Sequence, residues 1–169
     1  MPAVTRRAVL VLCTAGVLSA CTARGPAPGV ATTPAQLSTA TITAAINGVR
    51  KANGQPPLAY NSKLEAAARS QAQLMARKDR LSHDLGVTLR QRVTTAGYDG
   101  AVGENVAGGQ RTLEQAIQGW LDSPAHRETL LSTKFTEFGL AAAAVAPGRN
   151  SRYGVYWAFI AGGDFAAWR

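Results

Sequence analysis

The chain has 169 residues, a net charge of +8 and a hydrophobic content of 46%. This length fits one domain with an N-terminal appendage, and this composition excludes a largely disordered chain. The basic residues are spread along the sequence and form no cluster interleaved with aromatic residues, which argues against nucleic acid as a partner.

The N-terminus has the pattern of an export signal. Arg6 and Arg7 precede an apolar run over residues 8–20, which has the length of a signal-peptide core and is too short to cross a bilayer comfortably. The run ends in Leu18-Ser19-Ala20-Cys21, which resembles a bacterial lipobox. In that type of signal the cysteine carries the lipid and becomes the first residue of the mature protein.

We therefore expect a lipoprotein signal peptide at 1–20, a lipidated Cys21 with a flexible tether to residue 35, and a folded domain at 36–169. The tether prediction rests on a segment rich in Ala, Gly, Pro and Thr. An ordinary signal with a chance cysteine is the alternative, and both the Sec and the twin-arginine export routes stay open. The protein would be anchored to the cell membrane on its extracytoplasmic side, where a domain without disulfides depends on its core.

Hydrophobic spacing and capping residues predict five helices in the domain. The first spans residues 35–53, and the second follows a capping-box pattern that begins at Ser62. The predicted starts and ends are 35–53, 62–78, 88–96, a helix from 112 to about 121, and a helix that begins at 124 behind an N-capping Ser123.

The last third of the chain changes to the alternation of strands. Residues 138–145 and 153–161 predict two strands joined by a turn over 147–151. Tyr153, Val155, Trp157 and Phe159 alternate in the second strand, and we favour a core position for them over a ligand groove. Helices followed by strands predict an α+β layered domain.

The candidate site residues are the two histidines of the chain, His83 and His126, with Glu104. Two imidazoles and a carboxylate with an open position would suit a catalytic zinc ion. Pro124 places His126 in the first turn of a helix, whose positive end favours the neutral imidazole. Spacing alone favours the other interpretation, two structural histidines, because no local zinc motif is present.

The sequence resembles the SCP-like CAP superfamily, the cysteine-rich secretory, antigen 5 and pathogenesis-related proteins, in its small bacterial form. The resemblance covers roughly residues 37–160 and rests on an ordered set of short motifs. These are Pro57-Leu58, Asn61, Leu64, Ala68, Leu81-Ser82-His83, Gly103-Glu104-Asn105-Val106-Ala107, Trp120, Ser123-Pro124-Ala125-His126-Arg127, Phe138-Gly139-Leu140 and Tyr156-Trp157.

The resemblance implies a three-layer α-β-α sandwich with a central antiparallel sheet and a surface cleft. In the family, that cleft holds two histidines and two acidic residues, which bind a divalent metal in some members. His83, His126 and Glu104 match three of these positions, whereas Ser123 stands at the position of the second acid. The resemblance therefore implies a metal site, such as a zinc site, that lacks one ligand.

Three functions remain open at this point. The first is a non-enzymatic module that binds a lipid or envelope component in the cleft. The second is a metal-dependent hydrolase of peptide or cell-wall bonds, in which Glu104 would act with His83 and His126. The third is an interaction domain with a vestigial site. We favour binding, because the missing acid leaves Glu104 to serve as both ligand and base.

We predict that Cys21→Ser releases the protein from the membrane fraction, because this cysteine would carry two acyl chains, which anchor a protein durably, whereas one chain gives only marginal binding. Cell fractionation with detection of the protein measures this, and Cys13→Ser inside the signal serves as the control. Full retention of the Cys21→Ser variant in membranes would contradict the lipidation.

Overall fold

The computed structural model describes residue 34 and residues 37–169. The predicted signal peptide, Cys21 and most of the predicted tether therefore lie outside the described residues. In the described part, no helix is both long enough and apolar enough to cross a bilayer. The elements in chain order are α1 Thr39–Ala52, β1 Ala59–Tyr60, α2 Ser62–Lys78, α3 Leu89–Thr95, β2 Ala101–Gly108, α4 Leu113–Asp122, α5 Pro124–Leu131, β3 Glu137–Ala144, β4 Val155–Gly163 and a 3-10 turn Phe165–Trp168.

The four strands form one sheet in the order β1-β3-β4-β2. β4 pairs antiparallel with both β3 and β2, but β1 pairs parallel with β3. The three long strands are therefore antiparallel, as the family resemblance implies, and the short parallel strand β1 at the edge makes the sheet mixed. β1 is a two-residue strand in the connection between α1 and α2. The backbone N–H of Ala59 donates to the carbonyl of Thr136, just before β3, and that of Asn61 donates to the carbonyl of Phe138 in β3, both at 2.8 Å.

Helices cover both faces of the sheet, which confirms the predicted α+β, three-layer architecture. α1, α4 and α5 pack on one face against Phe138, Trp157 and Phe159. α2 and α3 pack on the other face against Tyr156 and Ile160. Because the central strand β4 contributes side chains to both clusters, it is buried along nearly its whole length.

Strand β2 carries Glu104 and Asn105 next to each other, so their side chains point to opposite faces. Glu104 pairs in register with Ile160 and Asn105 with Phe159 on β4. Glu104 therefore faces the layer of α2 and α3, and Asn105 faces the layer of α4 and α5. β2 is an edge strand of the sheet. Residues from both helical layers can meet along that edge.

Two of the predicted helix starts differ from the structure in their capping. Asn61, not Ser62, caps α2, because its side-chain oxygen accepts from the N–H groups of Lys63 and Leu64. Ser123 does precede α5, but its hydroxyl makes no capping hydrogen bond. Ser123 also ends α4, and Pro124 at the first position of α5 starts the helix without needing a donor partner.

Three of the four residues in the predicted core row of β4 share one layer, and Tyr153 does not. Trp157 and Phe159 are fully buried, and Val155 packs against the same cluster. Tyr153 instead packs on the opposite layer, with its ring centroid 5.6 Å from that of Tyr156. The reason is Gly154, whose φ of 73° interrupts the alternation one residue before the strand begins.

The alanine-rich helix α2 lies unusually close to the sheet. Leu64, Ala67, Ala68 and Ala72 are all buried on its inner side. A Cβ atom at Gly139 of β3 would overlap the α2 backbone at Leu64 and Glu65. The small side chains on α2 and the missing side chain at Gly139 together allow this contact between helix backbone and strand.

We predict that Gly139→Ala destabilises the domain by at least about 3 kcal/mol, because the clash is with backbone atoms that cannot rotate away. Gly48→Ala is the matched control, since Gly48 lies in α1 and a Cβ there would have no neighbour within 4 Å. We expect that change to stabilise the domain by roughly 0.5–1 kcal/mol. Urea unfolding of both variants measures the difference, and equal stabilities would contradict the close approach.

Candidate functional site

Glu104 is the buried centre of the candidate site. Its carboxylate Oε1 accepts from the Arg92 guanidinium at 2.7 Å, and the two side chains are 2% and 1% exposed. Arg92 lies on α3 and Glu104 on β2, so the ion pair joins the helix to the edge strand. A buried charge of this kind is tolerated only because it is paired and hydrogen-bonded.

His83 lies in the loop between α2 and α3 and contacts the other oxygen of the same carboxylate. Its Nδ1 is 3.0 Å from Glu104 Oε2, while 56% of its side chain remains exposed. Because a carboxylate only accepts hydrogen bonds, Nδ1 carries the proton. In the neutral ring, Nε2 then carries the lone pair, with which it can bind a metal ion or accept a hydrogen bond.

Buried polar side chains hold the His83 loop in place. Arg92 donates to the backbone carbonyls of His83 and Val87, and Gln71 of α2 donates to the carbonyl of Ser82. Gln71 and Arg92 are both buried. The position of His83 is therefore fixed by the core, although its ring is half-exposed.

His126 reaches the site from the opposite layer, in the first turn of α5. The side-chain amide of Asn105 donates to its backbone carbonyl at 2.8 Å. Asn105 is fully buried, and its Oδ1 has no hydrogen-bond partner in the described part of the protein. At the other end of α5, the buried Arg50 of α1 donates to the carbonyls of Leu130 and Ser132. α5 is thus fixed at both ends.

The two histidines have opposite electrostatic surroundings. The hydrogen bond to Glu104 raises the pKa of His83 above its usual 6.5, although partial burial and Arg92 oppose the change. Burial lowers the pKa of His126 below 6.5, and the nearby His83 charge lowers it further. His83 is therefore the more easily protonated of the two histidines.

These shifts give opposite dependences of stability on pH. The contribution of His83 is fully present below its unfolded value near 6.5 and is lost as the pH rises through its raised pKa. The contribution of His126 is present above about 6.5 and is lost as the pH falls through its lowered pKa.

The carboxylate of Glu104 is not arranged as a metal ligand. Both of its oxygens are engaged, one by Arg92 and one by His83. Among the residues that the structure describes, no group of three His, Cys, Asp or Glu side chains is spaced to hold one ion. Nearby Asp122 accepts from Gln118 at 2.8 Å on the surface of α4. A three-ligand site does not fit this geometry, and two imidazoles remain as candidate ligands.

Two concave surfaces of the domain lie away from the histidines. A depression of about 380 Å³ lies between α1, α2 and the β3 edge, beside Tyr60 and Arg69. Another of about 430 Å³ is lined by Tyr60, Lys63 and Tyr98. Neither is lined by His83, Glu104 or His126.

Sequence reasoning identified the three candidate side chains but missed the residues that position them. The sequence does not distinguish Arg92 from Arg90, two residues earlier on the same helix, although Arg92 is buried and Arg90 is exposed. Asn105 belongs to the motif Gly103-Glu104-Asn105-Val106-Ala107, which does not by itself indicate a role for its side chain. Its position directly after Glu104 on an alternating strand is the signal that could have placed it in the second layer.

Comparisons with known proteins identify the family and the fold of the domain. The model of the cysteine-rich secretory protein family, CAP, matches residues 43–160. The protein YkwD of Bacillus subtilis (strain 168) is 30% identical over 97 residues, covering 56% of this chain and 38% of that protein. The chain thus spans well under half of that relative's length.

Solved structures show the same fold. An extracellular protein containing an SCP domain from Bacillus anthracis aligns with a TM-score of 0.63 at 25% identity, covering 74% of this chain and 40% of that one. An outer surface protein from Borrelia burgdorferi aligns with a TM-score of 0.63 at 23% identity, covering 74% and 91%. A cysteine-rich secretory protein from Staphylococcus aureus gives a TM-score of 0.56 at 25% identity, covering 78% and 40%.

We predict that Glu104→Gln lowers the pKa of His83, because the amide removes the negative charge that favours the imidazolium. The two histidine signals in an NMR titration measure this directly, with His83 titrating above His126 in the unchanged protein. Glu128→Gln, an exposed acid of α5, removes the same formal charge and should leave the pKa of His83 unaltered. An unchanged His83 titration in Glu104→Gln would contradict the pairing.

Proposed function

Because the chain belongs to the CAP family of cysteine-rich secretory proteins, we propose that it is an exported, membrane-anchored module that binds a lipid or another envelope component at His83 and His126, with Glu104 as the buried support of His83. Two proteins of similar structure are an extracellular protein and an outer surface protein, which supports export. Cys21 is the proposed attachment point of the anchor.

The observation that carries the proposal is the engagement of Glu104. A hydrolase needs a carboxylate that can reach a water or a substrate proton. The Glu104 side chain is 2% exposed, with Arg92 on one oxygen and His83 on the other. The same carboxylate therefore orients an imidazole and has no free oxygen for proton transfer. This arrangement supports recognition over bond cleavage.

The groups available to a ligand are the two imidazole rings. With Nδ1 held by Glu104, His83 offers Nε2, and its raised pKa makes the ring a cationic donor at mildly acidic pH. His126 is the less easily protonated of the two because burial lowers its pKa. Such a pair suits a ligand with phosphate or carbonyl oxygens, as in a lipid headgroup.

A metal-dependent hydrolase of peptide or wall bonds is the second candidate, and one observation favours it. A carboxylate on the second nitrogen of a histidine is the usual support of a metal-binding imidazole, and Glu104 stands in that position behind His83. His83 and His126 would hold the ion, which when bound would acidify a water. With only two imidazoles, we expect weak and exchangeable binding of zinc.

Native mass spectrometry of the full-length protein, extracted from membranes in detergent, tests both candidates together. We expect a lipid-sized adduct that persists after chelation. We also expect at most one weakly held zinc ion that is lost on chelation and at acidic pH, where imidazole is protonated. His83→Gln with His126→Gln should reduce the adduct on the order of tenfold, since two ligand hydrogen bonds are removed.

Asp122→Asn provides the matched control, because this acid lies four residues before His126, at the end of α4, and outside the proposed contacts. Its adduct should equal that of the unchanged protein. Absence of any adduct, or an equal adduct in the double histidine variant, would contradict the binding proposal. Peptide or wall cleavage that zinc restores after chelation would favour the hydrolase instead.

A further inference from the structure

The C-terminal turn exposes two aromatic side chains beside positive charges. Phe165 and Trp168 are 51% and 49% exposed, the highest values among the large hydrophobic residues of the described chain. Lys134 lies 4.3 Å from the Trp168 ring centroid, and Arg90 lies 5.6 Å from that of Phe165. These four residues are called the C-terminal patch below.

The patch is fixed to the rigid part of the domain. The turn follows β4 directly, and Asp164 caps it by accepting from the N–H of Ala166 at 2.8 Å. The Trp168 ring packs 5.4 Å from that of Phe135, which is buried. The two aromatic rings are therefore presented by an ordered turn, not by a loose chain end.

The patch also lies beside the candidate site. A Cβ atom at Gly103 would lie 2.9 Å from the Phe135 ring, so Phe135 packs directly against the residue that precedes Glu104 on β2. Arg90 belongs to the same short helix as Arg92, which holds Glu104. The C-terminal patch and the histidines thus share one edge of the sheet.

We propose that the C-terminal patch docks onto the headgroup region of an anionic lipid bilayer. Tryptophan and phenylalanine favour the boundary between water and lipid, and lysine and arginine beside them reach lipid phosphates. Beyond the expected signal peptide, which holds Arg6 and Arg7, 16 Lys and Arg stand against 10 Asp and Glu, and this basic balance adds long-range attraction to such a surface. Asp164 is the acid of this turn, and its carboxylate is engaged by the capping hydrogen bond.

The exposed area favours a bilayer over a folded protein as the partner. Two half-exposed aromatic rings offer at most a few hundred Å², whereas a stable protein interface buries about 800 Å² on each side. A bilayer needs only shallow insertion of a few apolar groups with charge attraction. This docking goes beyond the proposed function, because it does not depend on what the histidines bind.

The three tryptophans of the chain provide a selective probe of the patch. Trp120 and Trp157 are 1% and 0% exposed, so a quencher in the membrane can reach only Trp168. The experiment mixes the full-length protein with vesicles that contain brominated phosphatidylcholine, either alone or in equal parts with phosphatidylglycerol. We expect quenching with the anionic vesicles, little with the neutral ones, and a decrease with added salt.

Substitutions separate the patch from general charge. Lys134→Gln should weaken quenching, measured as the lipid concentration at half-effect, by about fivefold, which is the contribution of one basic residue near a charged membrane. Arg152→Gln is the matched control. Arg152 also lies over an aromatic ring, at 5.3 Å from that of Tyr153, but at the opposite end of β4. It should have little effect. The N-terminal segment is identical in all variants.

Phe165→Ser should weaken quenching and Lys134→Arg should preserve it, while Trp168→Phe should abolish it. Thermal unfolding of each variant verifies that the fold is kept. Equal effects of Lys134→Gln and Arg152→Gln, equal quenching by neutral and anionic vesicles, or no quenching at all would each overturn the proposal. Loss of the lipid adduct in the double histidine variant would leave this docking unchanged, so the two proposals fail independently.

Discussion

The buried ion pair between Arg92 and Glu104 is the interaction on which the site depends. Both side chains lie in the core, 2.7 Å apart, and removing either one would leave an uncompensated charge, which in buried pairs costs about 3–5 kcal/mol. The same guanidinium also donates to the His83 carbonyl. One residue thus neutralises the carboxylate and fixes the loop that supplies the first histidine, so stability and site geometry are coupled.

The second half of the site has an analogous support in the other layer. Arg50 is buried, has no carboxylate partner among the residues that the structure describes, and donates instead to backbone carbonyls that include that of Leu130 near the negative end of α5. Asn105 holds the start of that helix through the His126 carbonyl. Each histidine therefore belongs to a different helical layer and is positioned by buried polar side chains that meet at strand β2.

Much of this could be predicted from the sequence, but not all of it. The helices followed from hydrophobic spacing, and the two histidines were conspicuous because the chain has no others. β2 is not predicted by the sequence because the polar residues Glu104 and Asn105 interrupt its apolar residues, and β1 is not predicted because two residues carry no periodic signal. The burial of Arg92 depends on where α3 packs, which sequence spacing does not encode. Charge and hydrogen bonding across layers are properties of the tertiary structure alone.

Because Glu104 and Asn105 are neighbours on β2, the register of this strand determines which helical layer each side chain faces. Their pairing with Ile160 and Phe159 decides which layer receives the carboxylate and which receives the amide. A one-residue insertion or deletion within β2 would exchange them, since side chains alternate with a period of two. The acid would then face the α5 carbonyl, and Arg92 would lose its counter-charge. Length variation among descendants of this chain should therefore accumulate in the β3–β4 hairpin loop and spare β2.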